Sequence, residues 1–366
     1  MRDSFVPAAA GPLVVTDDPE LLEELLRLCA VAGCEPSVLS DAAVDRGRWL
    51  SAPVVLLGGD RAQASAAAVS RGGLSRRASV VLVTADRDGV DVWRQAVEIG
   101  VERVAVLPDG ADWLVDRLAD ALEGEGRSGT VIAVAGGRGG AGASVLAAGL
   151  AVAALRRGWR TLLVDADPLG GGLDLAVGAE EVGGLRWPDL GGTSGRISAP
   201  ALISALPALD RLTVLACGRE THCEVSASAM RAVLRAGRRG NDLVVVDLPR
   251  TLDAPSQVAL TQSVTALLVV PAEIRACAAA ATMARQLQPH CADLRLVVRG
   301  PGPARLRPDA VQEALGLPLA AYLRSESAVA LALERGEPPG RQPGALARVA
   351  ARLLDDATSG EQADPR

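Results

Sequence analysis

The 366-residue sequence contains no lysine; all 38 of its basic residues are arginine. That absence excludes Schiff-base chemistry on a lysine and any phosphate-binding loop completed by its own lysine. Arginine is a planar fork rather than a compact ammonium, so the two are not interchangeable at a phosphate. Aromatic residues amount to only 2%, and the five tryptophans are too dispersed to form a stacking platform. Hydrophobic residues nevertheless reach 49%. The core is therefore built from small aliphatics, as in layered α/β proteins whose parallel strands are near-continuous apolar runs. A net charge of −6 excludes an overall basic nucleic-acid surface. Two histidines and six scattered cysteines without a CxxC pair argue against zinc and against a disulfide framework. A reduced cytoplasm fits that usage. No apolar run approaches the ~18–20 residues of a membrane span. The opening MRDSFVPAAAGP has no charged-then-apolar signal design. The expectation is a soluble, cytoplasmic chain of two domains, at ~100–200 residues per domain.

From Pro12 to Leu122, short apolar runs alternate with amphipathic stretches. Strands are expected at Leu13–Thr16, Ser37–Leu39, Val54–Leu57, Ser79–Thr84 and Arg103–Leu107, with helices at Pro19–Val31, Ala62–Ser70, Val90–Ile99 and Ala111–Leu122. Alternation of this kind describes a doubly wound parallel sheet. Residues 123–129, polar and glycine-rich with nothing to bury, read as a linker. Beyond it, apolar strands are expected at Thr130–Ala135, Thr161–Val164, Leu212–Ala216, Leu243–Val246, Ala266–Val270 and Leu294–Val298, giving a second, larger parallel sheet. The tail after Leu354 is polar.

The chemistry concentrates in the second half. Gly136 to Ser144, reading GGRGGAGAS, lies between an apolar strand and the helix expected at Ala143–Arg157. Glycines permit positive φ and close backbone approach, and a helix N-terminus presents free N–H groups and a positive dipole end to an anion. Ser144 can offer its hydroxyl to magnesium. Two further strands end in acids, at Asp165 with Asp167 and at Asp247. In an open α/β sheet the carboxyl ends of the strands are where ligands bind, and magnesium takes carboxylates, waters and phosphate oxygens.

This order of motifs resembles the MinD/ParA family of deviant phosphate-loop ATPases, whose loop reads Lys-Gly-Gly-x-Gly-Lys-Ser/Thr. Arg138-Gly139-Gly140-Ala141-Gly142-Ala143-Ser144 matches the glycines and the hydroxyl, with Arg138 and Ala143 in place of both lysines. The resemblance covers residues 130 to 354 and implies ATP or ADP with magnesium. It assigns nucleotide contacts to Gly137, Gly139, Gly140, Ala141, Gly142, Ala143, Ser144, Asp165, Asp247 and Arg299, the last where the family often has an adenine-contacting Asn. It assigns magnesium to Ser144, Asp167 and Asp247, and catalytic roles to Asp167 and, in trans across a dimer, Arg138. Asp174 lies in the Leu-Asp-Leu stretch that often follows the Asp165 motif.

Residues 13–122 resemble a response-regulator receiver. Asp17-Asp18 matches its acidic cluster and Thr84 its switch hydroxyl, while Gly58 and Leu107 replace the phosphoacceptor Asp and the lysine. Phosphoryl transfer needs that nucleophile, so a protein-contact role is expected. A pseudo-receiver (1–122), linker (123–129) and MinD/ParA-like domain with a polar tail (130–366) resemble the CpaE/TadZ group. The expected fold class is α/β: two doubly wound parallel-sheet domains, a receiver-like flavodoxin-type fold and then a P-loop NTPase fold. The resemblance implies a homodimeric localisation scaffold with weak or absent hydrolysis, recruited to a septum or cell pole by protein partners of division or Flp/Tad pilus-secretion assembly. Two alternatives stand beside it: an active ATPase using Arg138 in trans, and a ParA-like DNA-partition protein. Arg231–Arg239 is the basic stretch that would serve the latter, although a solvated helix face explains it better and sequence-specific nucleic acid is not expected. The acidic Asp355-Asp356 after the last helix leaves membrane association at most indirect.

Overall fold

A computed structural model describes residues 11–39, 46–77, 79–85, 90–122, 129–190, 197–218 and 223–361. The chain divides into two compact units between Gly126 and Arg127. Of the expected linker, residues 123–128 lie outside the described residues.

The first unit runs β1 (Leu13–Val15), α1 (Pro19–Val31), β2 (Ser37–Leu39), α2 (Arg46–Ser51), β3 (Val55–Gly58), α3 (Ala62–Ser70), β4 (Val80–Thr84), α4 (Val90–Ile99), β5 (Arg103–Val106) and α5 (Ala111–Leu122). Its five strands are ordered β2-β1-β3-β4-β5, and every pair is parallel. Helix α1 begins where it does because the Asp18 carboxylate accepts the N–H groups of Glu20 and Leu21 at 3.0 and 3.2 Å. Pro19 follows at the first helical position, where no N–H is needed. The stripe Leu21, Leu25, Leu28 and Cys29 is then buried against the sheet.

The second unit runs β6 (Thr130–Gly136), α6 (Ala143–Arg156), β7 (Thr161–Asp165), α7 (Leu173–Val177), α8 (Trp187–Leu190), α9 (Ala199–Ala205), β8 (Ala208–Leu209), β9 (Leu212–Leu215), α10 (Ala227–Gly240) and β10 (Leu243–Asp247). It continues through α11 (Ala254–Gln262), β11 (Thr265–Pro271), α12 (Ile274–Leu287), β12 (Leu294–Gly300), α13 (Pro308–Leu315), β13 (Leu319–Arg324), α14 (Ser327–Glu334) and α15 (Ala345–Glu361). The eight strands are ordered β13-β12-β11-β6-β10-β7-β9-β8, parallel except for the two-residue edge strand β8. One hydrophobic cluster lies on each face of the sheet. Helix α6 is buried on all sides between the sheet and α15, whose Leu346 comes so near that a methyl on Gly149 would lie 2.9 Å from its Cδ1. That burial holds the N-terminus of α6 rigidly at the ends of β6, β10 and β7. Among the described residues no helix is long and apolar enough to cross a membrane.

Candidate functional site

Strand β6 ends at Gly136 and α6 begins at Ala143, so the intervening loop must reverse within six residues. Gly140 (φ 67°) and Gly142 (φ 101°) adopt left-handed conformations that a residue with a Cβ takes only under strain. Gly142 is the N-cap of α6. The N–H groups of Gly139, Gly140 and Gly142 have no acceptor among the described residues. Those of Ala143 and Ser144 open the helix, where no intrahelical acceptor exists. Five donors and a helix dipole therefore face one space. Two residues of the expected set act differently. Gly137 donates its N–H to Val269 O at 2.9 Å and is wedged against Ala280, which a methyl would meet at 2.7 Å. Ala141 donates to Arg138 O at 3.2 Å and buries its side chain. Both shape the loop from behind.

The acids divide by role. Asp247 ends β10 and is in register with Asp165 of β7 on one side and Val134 of β6 on the other. It is 3% exposed, and its Oδ1 has no hydrogen-bond partner among the described residues. Burial pushes its carboxyl up to about 8; Asp165 and Asp167 push the same way, and the Ser144 hydroxyl pulls down. Asp165 spends both oxygens on the loop that follows it, accepting Asp167 N–H at 3.0 Å and Leu173 N–H at 2.9 Å. Burial raises its carboxyl to about 6 against those two donors. Asp167 accepts Leu169 N–H at 3.1 Å. Ser144, Asp165 and Asp247 line one cleft of about 520 Å³ together with Arg335. Asp167 lines an adjoining cleft of about 900 Å³ that shares Asp165 and the three glycines Gly170–Gly172. A buried carboxylate oxygen without a partner, beside a hydroxyl, is the hard-oxygen donor set that magnesium takes. The residues present fit a magnesium nucleotide. Asp174 lies apart, with its Oδ2 3.8 Å from Arg186 Nε.

Arg138 points into its own chain. Its Nη2 bonds both carboxylate oxygens of Glu273 at 2.9 and 3.0 Å, and its Nη1 reaches Gly139 O at 3.1 Å. Arg299, at the end of β12, lies over Gly142, where a methyl would come 3.2 Å from its Nη1. It also lines a cavity of about 240 Å³ with Leu323, Val329 and Leu333. The expectation of no disulfide is corrected: Cys217 and Cys223, six residues apart, are bonded, with Cα atoms 5.8 Å apart. Both line the 900 Å³ cleft. A Cys-x5-Cys spacing has no periodic signature. Arg250 and Glu273 also escaped sequence reading. Arg250 stands three residues after Asp247, which is the one signal that pointed to it.

In the first unit the position of a receiver's phosphoacceptor is already filled. A methyl on Gly58 would lie 2.2 Å from Asp60 Oδ1 and 2.6 Å from Thr16 Oγ1. Asp60 accepts the Thr16 hydroxyl at 2.8 Å and the Asp17 N–H at 2.7 Å. Arg61 in turn pairs with Asp17. Leu107 is buried in the core rather than offering a cation.

Two family models match the chain. Residues 15–129 match the Rv3660c-like, CheY-like N-terminal domain, and residues 132–339 match the CobQ/CobB/MinD/ParA nucleotide binding domain. Protein Rv3660c of Mycobacterium tuberculosis is 41% identical over 92% of this chain and 95% of its own. A septum site-determining MinD of Nephroselmis olivacea is 27% identical over 57% of this chain and 78% of its own. Among solved structures, the septum site-determining MinD of Pyrococcus horikoshii OT3 complexed with Mg-ADP superposes with a TM-score of 0.50 at 20% identity, covering 64% of this chain and 99% of that one.

Proposed function

The chain belongs to the CobQ/CobB/MinD/ParA nucleotide-binding family, with a CheY-like N-terminal domain, and on that premise we propose that it is a nucleotide-binding spatial regulator that hydrolyses ATP slowly or not at all. The N–H groups of Gly139, Gly140, Gly142, Ala143 and Ser144 and the α6 dipole hold the phosphates. Ser144, Asp167 and Asp247 hold magnesium, which neutralises phosphate charge when bound. One observation carries the reading: a loop with five free donors and an orphaned buried acid at its side, but Ala143 where a cation would grip the phosphates. Binding needs the donors; transfer additionally needs charge over the leaving oxygens. Removing one such electrostatic contact costs a factor of about 10²–10³ in rate.

The regulator reading extends to a homodimer that recruits protein partners, with septum placement as the cellular process and Flp/Tad pilus-secretion assembly as its competitor. The relative named as septum site-determining supports the former. The active-ATPase alternative is weakened by Arg138, which must first release Glu273 to reach another subunit. The DNA-partition alternative loses Arg239, whose guanidinium bonds Ile197 O at 2.9 Å.

The test is nucleotide content and turnover of the purified full-length protein, with and without magnesium. Expected are binding of ATP or ADP in the micromolar-to-millimolar range and hydrolysis near background. Turnover at the ~1 s⁻¹ or more of ordinary enzymes would overturn the scaffold reading. Failure to bind either nucleotide would overturn the nucleotide reading altogether.

A further inference from the structure

The phosphate loop carries no free cation of its own, yet two arginines flank it from the ends of β10 and β12, on either side of β6. Arg250 follows β10, three residues past Asp247, and a methyl on Gly139 would sit 3.7 Å from its Cζ and 3.8 Å from its Nη1. Arg299 ends the opposite side, with its Nη1 3.2 Å from the corresponding point on Gly142. Gly139 and Gly142 bound a stretch of loop in which the N–H groups of Gly139, Gly140 and Gly142 lack acceptors among the described residues. Neither guanidinium has an ion-pair or hydrogen-bond partner among the described residues. Arg138, the loop's own arginine, is occupied by Glu273. Two unpaired guanidiniums and five free N–H donors around one loop make a site short of anionic charge. The buried, unpartnered Asp247 Oδ1 beside Ser144 gives that site its independent mark of a bound cation.

We propose that Arg250 and Arg299 together supply the phosphate-binding charge that the missing loop lysine would give, though not its place over the leaving oxygens, and that they read a nucleoside polyphosphate from its two ends. The proposal rests on the nucleotide reading above. The orientation follows from the surroundings. Arg299 adjoins the cavity lined by Leu323, Val329 and Leu333, which suits a base, so it meets the phosphate nearest the sugar. Arg250 adjoins the other end of the loop, at Gly139, and follows the strand that ends in Asp247, so it meets the terminal phosphate. A planar fork contacts phosphate oxygens bidentately, but from outside the loop rather than from within it. Arg250 then distinguishes a triphosphate from a diphosphate, while Arg299 serves both.

The experiment is calorimetric titration of full-length protein with ATP and with ADP, in magnesium, for wild type, Arg250→Gln and Arg299→Gln. Each variant is repeated with Ala143→Lys added. A hydrogen bond to a charged group corresponds to about a tenfold or larger change in affinity. Arg250→Gln should weaken ATP by about tenfold or more and leave ADP within about threefold. Arg299→Gln should weaken both nucleotides by similar factors. Adding Ala143→Lys to Arg250→Gln should recover most of the lost ATP affinity, a rescue that a merely structural arginine would not show. Neither arginine is buried, so both variants should retain the wild-type circular dichroism spectrum. Wild type that binds while both Gln variants stay within about twofold for both nucleotides overturns this inference and leaves the nucleotide reading intact. Wild type that binds neither nucleotide overturns that reading, and this one with it.

Discussion

At Asp247 stability and function pull in opposite directions. The carboxylate is 3% exposed and one of its oxygens bonds nothing among the described residues, so in the apo protein its burial works against folding. Asn has the same shape without the charge. Asp247→Asn should therefore stabilise the apo protein, on the order of 1–2 kcal/mol, read as a higher unfolding midpoint in EDTA. The same variant should lose most magnesium-dependent nucleotide affinity, because the hard anionic ligand is gone. Thermal unfolding in EDTA and with Mg-ADP separates the two effects. A variant less stable than wild type in EDTA would show that the acid serves the fold. Asp165 makes the contrast: both of its oxygens are bonded to backbone, so Asp165→Asn should destabilise, by about 1–3 kcal/mol. From sequence alone the two acids look alike, each an Asp closing an apolar strand. Only the register of β7 against β10 and the path of residues 166–173 tell them apart.

Among the elements, the parallel strands were the most readable. A strand covered on both faces must be apolar at nearly every position, and β4, β6, β7, β10 and β11 are buried along their whole length. The loop before α6 was equally legible, since Gly140 and Gly142 need positive φ. Strand β8 was missed because two residues carry no period, and Glu273 because it meets Arg138 from 135 residues away. The end of β3 shows the same limit. Gly58 announces a missing nucleophile, but nothing in the sequence says that Asp60 and Thr16 have closed over the vacancy. Restoring the acid alone should therefore fail. Gly58→Asp drives a Cβ into two polar side chains and should destabilise the unit by about 1–3 kcal/mol, without stoichiometric uptake of phosphate from acetyl phosphate. Mass spectrometry for acid-labile phosphate reads the second outcome. Uptake by wild type that is lost in Asp60→Asn would reverse this account and make Asp60 the acceptor.

On the scale of the whole molecule, the two units are built as separate folding problems. Among the described residues, two of the hydrophobic clusters draw on residues 13–121 and two on residues 131–354. The larger sheet also places every element of the nucleotide site, from Gly136 through Arg299, inside one unit. A fragment of residues 129–361 should then fold cooperatively and bind ATP and ADP within about twofold of the full chain, because the loop, the acids and both flanking arginines come with it. Residues 11–122 should fold on their own without nucleotide affinity, since a closed Asp60–Thr16 pair offers no anion site. Parallel calorimetric unfolding and nucleotide titration of the two fragments check both expectations. If the larger fragment folds but loses affinity by about tenfold or more while the intact chain binds, the receiver-like unit sets the nucleotide site. The first unit would then act as an effector of binding, reciprocally sensitive to nucleotide. If affinity is unchanged, the receiver-like unit takes no part in nucleotide binding, and removing it should leave nucleotide chemistry untouched.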